Sequence, residues 1–179
     1  MRQANQLLDE VQEDRASALI QQHPASVRYA LTLADWAQQR GDSQTAIAQY
    51  QRVLGQQPDN GDARLGLAEV YLADGDKNAA RAQVAQLKGE DIDSINMQRR
   101  IALAQAGLGD RAQAQQTFAR IVPQAKAQPP SMESALVLRD AARFQAQNDE
   151  PQQALEGYKD AMVASGVARE RPQDNDSFT

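Results

Sequence analysis

The stretch "QQRGDSQTAIAQYQRVLGQQP", Gln38 to Pro58, closes one helical pattern at a Gly-Asp pair, opens a second and ends it at a proline. Its markers return downstream. Gly41 is answered by Gly75 and Gly109, and Asp42 by Asp76 and Asp110, each step being 34 residues. Five further sets keep that register: Leu33, Leu67 and Ile101; Ala34, Ala68 and Ala102; Ala46, Ala80 and Ala114; Tyr50, Val84 and Phe118; Val53, Leu87 and Ile121. A period of this length belongs to a supersecondary unit that stacks on copies of itself.

The paired residues have a physical reason to recur. A glycine just past a helix end takes the left-handed conformation at little steric cost. An aspartate next to it can cap the following helix, accepting from free amides at the positive helix end. Small Ala34, Ala68 and Ala102 permit close helix approach, and Tyr50, Val84 and Phe118 fill the space between layers. Gly41, Gly75 and Gly109 are therefore expected as turn residues, with Ala46, Ala80, Ala114 and Ala154 as the small residues of the second helices.

A fourth unit follows in "SMESALVLRDAARFQAQNDEPQQALEGYKDAMVASG", where Ala154 and Tyr158 hold the alanine and large-residue positions and Asp149 replaces the glycine. Ala154 stands 40 residues after Ala114, so six residues are extra. They fall in "IVPQAKAQPPS". Pro123, Pro129 and Pro130 predict an interrupted helix there, and with it a longer loop or a bend.

The period and its turn residues resemble the tetratricopeptide repeat family from about Val27 to Ser165. The family's first tryptophan position holds Ala30, Arg64 and Gln98 here. The resemblance implies an all-α fold, a helix-turn-helix solenoid wound as a right-handed superhelix. The expected segments are a terminal helix of a preceding repeat over 1–24 and repeats over 27–60 and 61–94. A repeat with the Pro-containing insertion over 95–134, a fourth over 135–166 and a linker or tail over 167–179 complete the order.

Composition fits and excludes. Hydrophobic residues make up 41% but aromatics only 4%, so the core rests on Ala, Leu, Val and Ile. A formal net charge of −5 argues against a nucleic-acid partner. Without cysteine there are no disulfides, thiolate metal sites or cysteine nucleophiles. The sequence has no run of about 18 apolar residues, the length a bilayer-spanning helix needs, and "MRQANQLLDE" lacks the apolar core of a signal peptide.

Chemistry-bearing constellations are equally sparse. The single histidine, His23, sits beside Pro24 and reads as a loop residue. Asp91 and Asp93 have no third acidic ligand at calcium-loop spacing and read as turn and cap residues. No glycine-rich phosphate loop or activated serine is found. The expectation is a protein without catalytic residues, metal or cofactor.

Stacked helix pairs do offer a concave surface lined by their first helices. The candidate binding positions are Asp35, Gln38 and Gln39 in the first unit and Asp62 and Glu69 in the second. Asn96, Arg99 and Arg100 follow in the third, and Arg139, Asp140 and Arg143 in the fourth. That order runs from acidic to basic, a polarity able to orient a peptide or protein partner. The two-carboxylate clamp of some family members is not matched, since Leu31, Asp35, Gly66 and Asn96 stand at its positions and only Arg100 is basic in the right sense. Trp36, the single tryptophan, either faces the groove or packs on the next helix.

Particular strings carry a narrower resemblance: "ANQLLDEVQEDRASALI", "TLADWAQQRGDSQTAIAQYQRVL", "NGDARLGLAEV", "QPPSMESALVLRDAARF" and the closing "RPQDNDSFT". They are similar to the periplasmic repeat subunits of bacterial cellulose export. That resemblance implies a periplasmic segment of an outer-membrane-anchored protein, linking an inner-membrane synthase complex to an outer-membrane pore. Its implied partners are proteins of the synthase complex and cell-wall-associated proteins, with weak contact to cellulose and no membrane insertion by this segment. A second reading is a surface that guides the nascent glucan. Glucan tracks favour aromatic platforms, which are scarce here.

Overall fold

A computed structural model describes residues 26–87 and 94–166. The expected helix over 1–24, His23, Asp91, Asp93 and the tail over 167–179 lie outside the described residues. Among the described residues the regular structure is all α-helix. The chain divides into two compact units, one over Met1–Asp91 and one over Ile92–Thr179. Each contains two helix hairpins.

In the first unit, α1 (Val27–Gln39) and α2 (Ser43–Gln56) form one hairpin, and α3 (Gly61–Ala73) and α4 (Lys77–Val84) the next. Gly41 and Gly75 turn the chain with φ of 77° and 82°. Each turn closes with the same pair of bonds. The Gly41 N–H donates to the Gln38 carbonyl at 3.0 Å and the Asp42 N–H to the Ala37 carbonyl at 2.9 Å. Gly75 and Asp76 do the same to Leu72 and Tyr71 at 3.1 and 2.8 Å. This double closure satisfies helix-end carbonyls that would otherwise lack a donor. Asp42 then accepts from the Thr45 amide at 3.1 Å and Asp76 from the Ala79 amide at 2.9 Å.

In the second unit, α5 (Ile95–Leu108) pairs with α6 (Arg111–Ala127) and α7 (Met132–Gln147) with α8 (Pro151–Ala164). Gly109 repeats the turn with φ of 90°. Asp110 stands at the N-cap of α6 but makes no side-chain cap bond, a departure from the expected capping role. At the fourth turn Asp149 takes φ of 62°, the one positive φ outside glycine among the described residues. The Glu150 N–H still closes on the Gln145 carbonyl at 3.1 Å.

A further periodic set becomes visible in the structure. Ser26, Asn60 and Ser94 cap α1, α3 and α5 through their side chains, again 34 residues apart. These are strong N-cap types.

The insertion differs from expectation. The connector between α2 and α3 covers 57–60 and that between α6 and α7 covers 128–131, the same length. Three of the six extra residues lengthen the end of α6, and three start α7 earlier, capped by Ser131. Helix α6 runs straight through Pro123, which sequence reasoning placed as a breaker. A proline inside a helix removes one donor and frees the carbonyl four residues earlier. Here both Pro123 and Ala119 are exposed, so water can satisfy that carbonyl. In the other direction, α4 is short: it ends at Val84, and Leu87 lies beyond it in a turn.

Each unit has its own core. In the first, Ala30, Ala34, Ala46, Tyr50, Val53, Leu67 and Val70 are buried together. In the second, Ala102, Ala114, Phe118, Ile121, Val137, Leu138 and Phe144 are. The alanines at the hairpin positions, Ala34 with Ala46 and Ala102 with Ala114, are fully buried at 0% exposure, which is what lets paired helices approach closely. In the last hairpin, a Cβ added to Gly157 would stand 2.9 Å from that of Ala142.

Candidate functional site

The first helices of the hairpins carry the candidate binding positions, and each unit organises its own set. In the first unit the centre is Tyr50. Its ring is fully buried, and its place on α2 aims the hydroxyl at α1. A buried phenol requires a polar partner. The hydroxyl donates to Asp35 Oδ1 at 2.6 Å and lies 2.8 Å from Gln38 Oε1. With one proton to give, it favours the carboxylate, where a charge-assisted bond is stronger. Gln38 Nε2 in turn donates to Glu69 Oε2 on α3 at 3.2 Å. Asp35, Gln38 and Glu69 thus share one polar cluster across two hairpins, while Gln39 and Asp62 are exposed.

Gly66 explains how the cluster fits. A Cβ there would stand 2.3 Å from Tyr50 Cζ and 2.7 Å from its hydroxyl oxygen. Only a residue without a side chain lets α3 lie against that ring. Trp36 is half-buried, and the Arg40 guanidinium sits 4.7 Å from its ring centroid, a cation–π contact within α1 and its cap.

In the second unit the centre is Asp140. Sequence reasoning placed it on the open face, but it is buried and ion-paired. Arg99 Nη1 on α5 meets its Oδ2 at 2.5 Å, and Arg139 donates to Oδ1 through Nε at 3.0 Å and Nη2 at 2.8 Å. Asn96 Oδ1 accepts from Arg99 at 3.2 and 2.9 Å, fixing that guanidinium from the other side. A carboxylate taken out of water needs such donors to replace its lost hydration. The structure therefore brings Asn96, Arg99 and Arg139 together around Asp140, with Arg100 half-buried and Arg143 exposed.

Among the described residues the two clusters present carboxylate, amide and guanidinium groups. Among the described residues no group of three or more histidines or acids is placed to hold a metal ion. No helix there is long and apolar enough to cross a membrane. Sequence reasoning missed two features: Tyr50 as a polar hub and Asp140 as a buried acid. The first had a signal, a tyrosine where phenylalanine stands at the equivalent Phe118. The second had none, since its partner is 41 residues away.

Comparison with known proteins follows this geometry. A tetratricopeptide repeat model matches residues 37–100. Cellulose synthase operon protein C of Escherichia coli (strain K12) is 61% identical over 176 residues, covering 98% of this chain. The counterpart of Salmonella typhimurium is 62% identical over the same share. The chain spans 15% of the length of these curated relatives. Among solved structures, a thermophilic TPR protein from Thermus thermophilus superposes with a TM-score of 0.72 at 15% identity, covering 93% of this chain and 90% of that one. Pseudomonas aeruginosa pilF gives 0.67 at 16% identity, covering 79% of this chain and 62% of that one. Register, turns and helix pairing agree with that match: the fold is the all-α helix-turn-helix fold of tetratricopeptide repeat proteins, and the repeat model itself covers residues 37–100.

Proposed function

We propose that this chain is a non-catalytic scaffold segment of bacterial cellulose synthesis and export. In this reading it lies in the periplasm and holds protein partners on its first-helix faces. It thereby links an inner-membrane synthase complex to an outer-membrane pore. The observation that carries the reading is the 61% identity over 98% of the chain to cellulose synthase operon protein C. The candidate contact residues are Asp35, Gln38, Gln39, Asp62 and Glu69 on the first unit. On the second they are Asn96, Arg99, Arg100, Arg139 and Arg143. The acid-rich and arginine-rich sets suit partner segments of opposite charge.

The test is photo-crosslinking in the full-length protein, with the reactive group placed at Gln39, Asp62 or Arg143 in cells making cellulose. Adducts with synthase-complex or cell-wall-associated proteins are expected. Adducts with glucan alone would overturn the scaffold in favour of a glucan-guiding surface. Tyr50, Phe118 and Phe144 are buried, but Tyr158, expected in the core, is 38% exposed and Trp36 is half-buried; the few rings left for sugar faces to stack on weigh against that second reading. Titration with soluble cello-oligosaccharides, followed by backbone amide shifts, separates the two.

A further inference from the structure

Two departures from the repeat pattern line one cavity in the second unit. At the register position where Asp42 and Asp76 cap their helices, Glu150 opens α8 without a side-chain cap bond. Its carboxylate is half-buried and has no hydrogen-bond or ion-pair partner among the described residues. On α6, Pro123 stands inside the helix and leaves the Ala119 carbonyl without its helical donor. Ala119, Pro123 and Glu150 all line a cavity of about 240 Å³, together with Val122, Phe118 and Phe144, and no basic side chain lines it. A second cavity of about 170 Å³ shares Val122, Gln145 and Gln153 with the first, so the groove continues along α6 and α8. Each departure costs stability, one by withholding a partner from a carboxylate and the other by removing a helix bond. Sequences break such local rules where a site requires it.

We propose that this cavity between α6 and α8 binds an arginine side chain of a partner protein. The guanidinium donates to the Glu150 carboxylate and to the Ala119 carbonyl, while its methylene stem lies on Val122 and the two phenylalanines. A planar fork with five donors can serve both acceptors at once, which the compact, strongly hydrated ammonium of lysine cannot. The adjoining cavity gives the residues that flank the arginine a place to lie, which argues for a polypeptide over a small free cation. Arg169 and Arg171 of this chain follow Gly166 by three and five residues, a backbone reach of at most about 18 Å. Glu150 lies about 24 Å back along α8, which favours an arginine from a partner. The site is built by second helices, apart from the first-helix faces, and does not rest on the cellulose reading.

The experiment uses the 179-residue chain and capped tetrapeptides of alanine, leucine, a variable residue and alanine. The variable residue is arginine, lysine or citrulline, and binding is followed by NMR. Saturable shifts at the Ala119 and Glu150 amides and the Gln153 side chain are expected with arginine. Citrulline keeps the shape but loses the charge and should bind about tenfold more weakly, with lysine in between. Glu150→Gln in the protein should cost the arginine peptide the same factor, and combining it with citrulline should cost no more. Its Tm should stay unchanged, because no cap bond is lost. Pro123→Ala returns a helical donor to the Ala119 carbonyl. It should raise Tm yet weaken arginine binding about fivefold, so a folding defect cannot mimic the loss. No saturable shift at roughly millimolar arginine peptide would overturn the proposal, as would lysine or citrulline binding as tightly as arginine, or an affinity indifferent to Glu150→Gln and Pro123→Ala. Shifts at Gln153 on introducing Arg169→Ala and Arg171→Ala into the free protein would also overturn it, by making the chain its own occupant.

Discussion

The two units stack a second hairpin on a first through the same register positions, yet they fill the junction differently. In the first, Tyr50 lies against Gly66 and sends its hydroxyl into a polar cluster. In the second, Phe118 packs on Phe144 with ring centroids 5.3 Å apart. At the register position of Gly66 the second unit has Asp140, and at that of Leu31 it has Arg99. The substitutions are coupled. A tyrosine reaches further than a phenylalanine by one hydroxyl, so its neighbour must be small. Where the phenylalanine stands, space remains for a carboxylate, and an arginine must then neutralise it. What the repeat conserves is filled volume and satisfied polarity, since interiors tolerate neither voids nor unpaired charge.

The largest expected effect comes from breaking the charged junction. Asp140→Ala leaves the Arg99 guanidinium mostly buried without its carboxylate, which costs about 3 kcal/mol. Adding Arg99→Leu, the residue type of the first unit, should recover at least half of that loss. Urea denaturation followed by far-UV circular dichroism measures both. An additive double variant would show that the pair is not coupled and that the contrast between junctions is coincidental.

Gly66→Ala is next. Alanine normally stabilises a helix interior by about 1 kcal/mol over glycine. Here the methyl collides with ring atoms, and overpacking of this kind costs about 1–3 kcal/mol. A lower Tm is expected, with relief when Tyr50→Val, the residue type at Val84, is added. A rise in Tm for Gly66→Ala alone would mean that α3 does not lie against the ring.

The turns were readable in the sequence because their requirements are local. A left-handed residue and a capping acid are needed within two positions, whatever surrounds them, and Gly41 with Asp42 states that need outright. The helix ends around Pro123 were not readable, because the outcome turns on whether the freed carbonyl of Ala119 reaches water. Burial of Asp140 was hidden for a related reason. A charged residue on a first helix looks the same in sequence whether it faces solvent or an arginine from another hairpin. The cap series Ser26, Asn60 and Ser94 was readable; its three positions alternate between two residue types and escape a search for identity.

The cap aspartates sharpen the comparison at a smaller scale. Hydrogen bonds from Thr45 hold the Asp42 carboxyl below its ordinary value of 3.8. A group depressed in the folded state adds stability above its unfolded pKa and loses it as pH falls through the folded one. Asp42→Ala should therefore cost about 1 kcal/mol at neutral pH, and less once acid protonates the carboxyl. Asp110→Ala removes no cap bond and should cost clearly less. Melting curves at neutral and acidic pH test this; equal losses for the two variants at neutral pH would leave the cap bond without energetic weight.

The smallest effect is expected at the fourth turn, and it asks whether glycine is required or only preferred. Asp149 holds the left-handed conformation that glycine holds in the other three turns, and the closing bond from Glu150 survives. A side chain in that conformation costs about 1–2 kcal/mol, less for aspartate, whose short polar group bonds locally. Glycine removes that strain but enlarges the unfolded ensemble, which returns about 0.4–1 kcal/mol of the gain. The two terms leave Asp149→Gly more stable by about 0.5 kcal/mol, or roughly 1–2 °C in Tm for a chain of this size. The reverse change, Gly41→Asp, carries both terms with opposite sign and should lower Tm by a similar margin. If instead Gly41→Asp proves far more costly, the surroundings of the turn, and not its backbone alone, distinguish the first hairpin from the fourth.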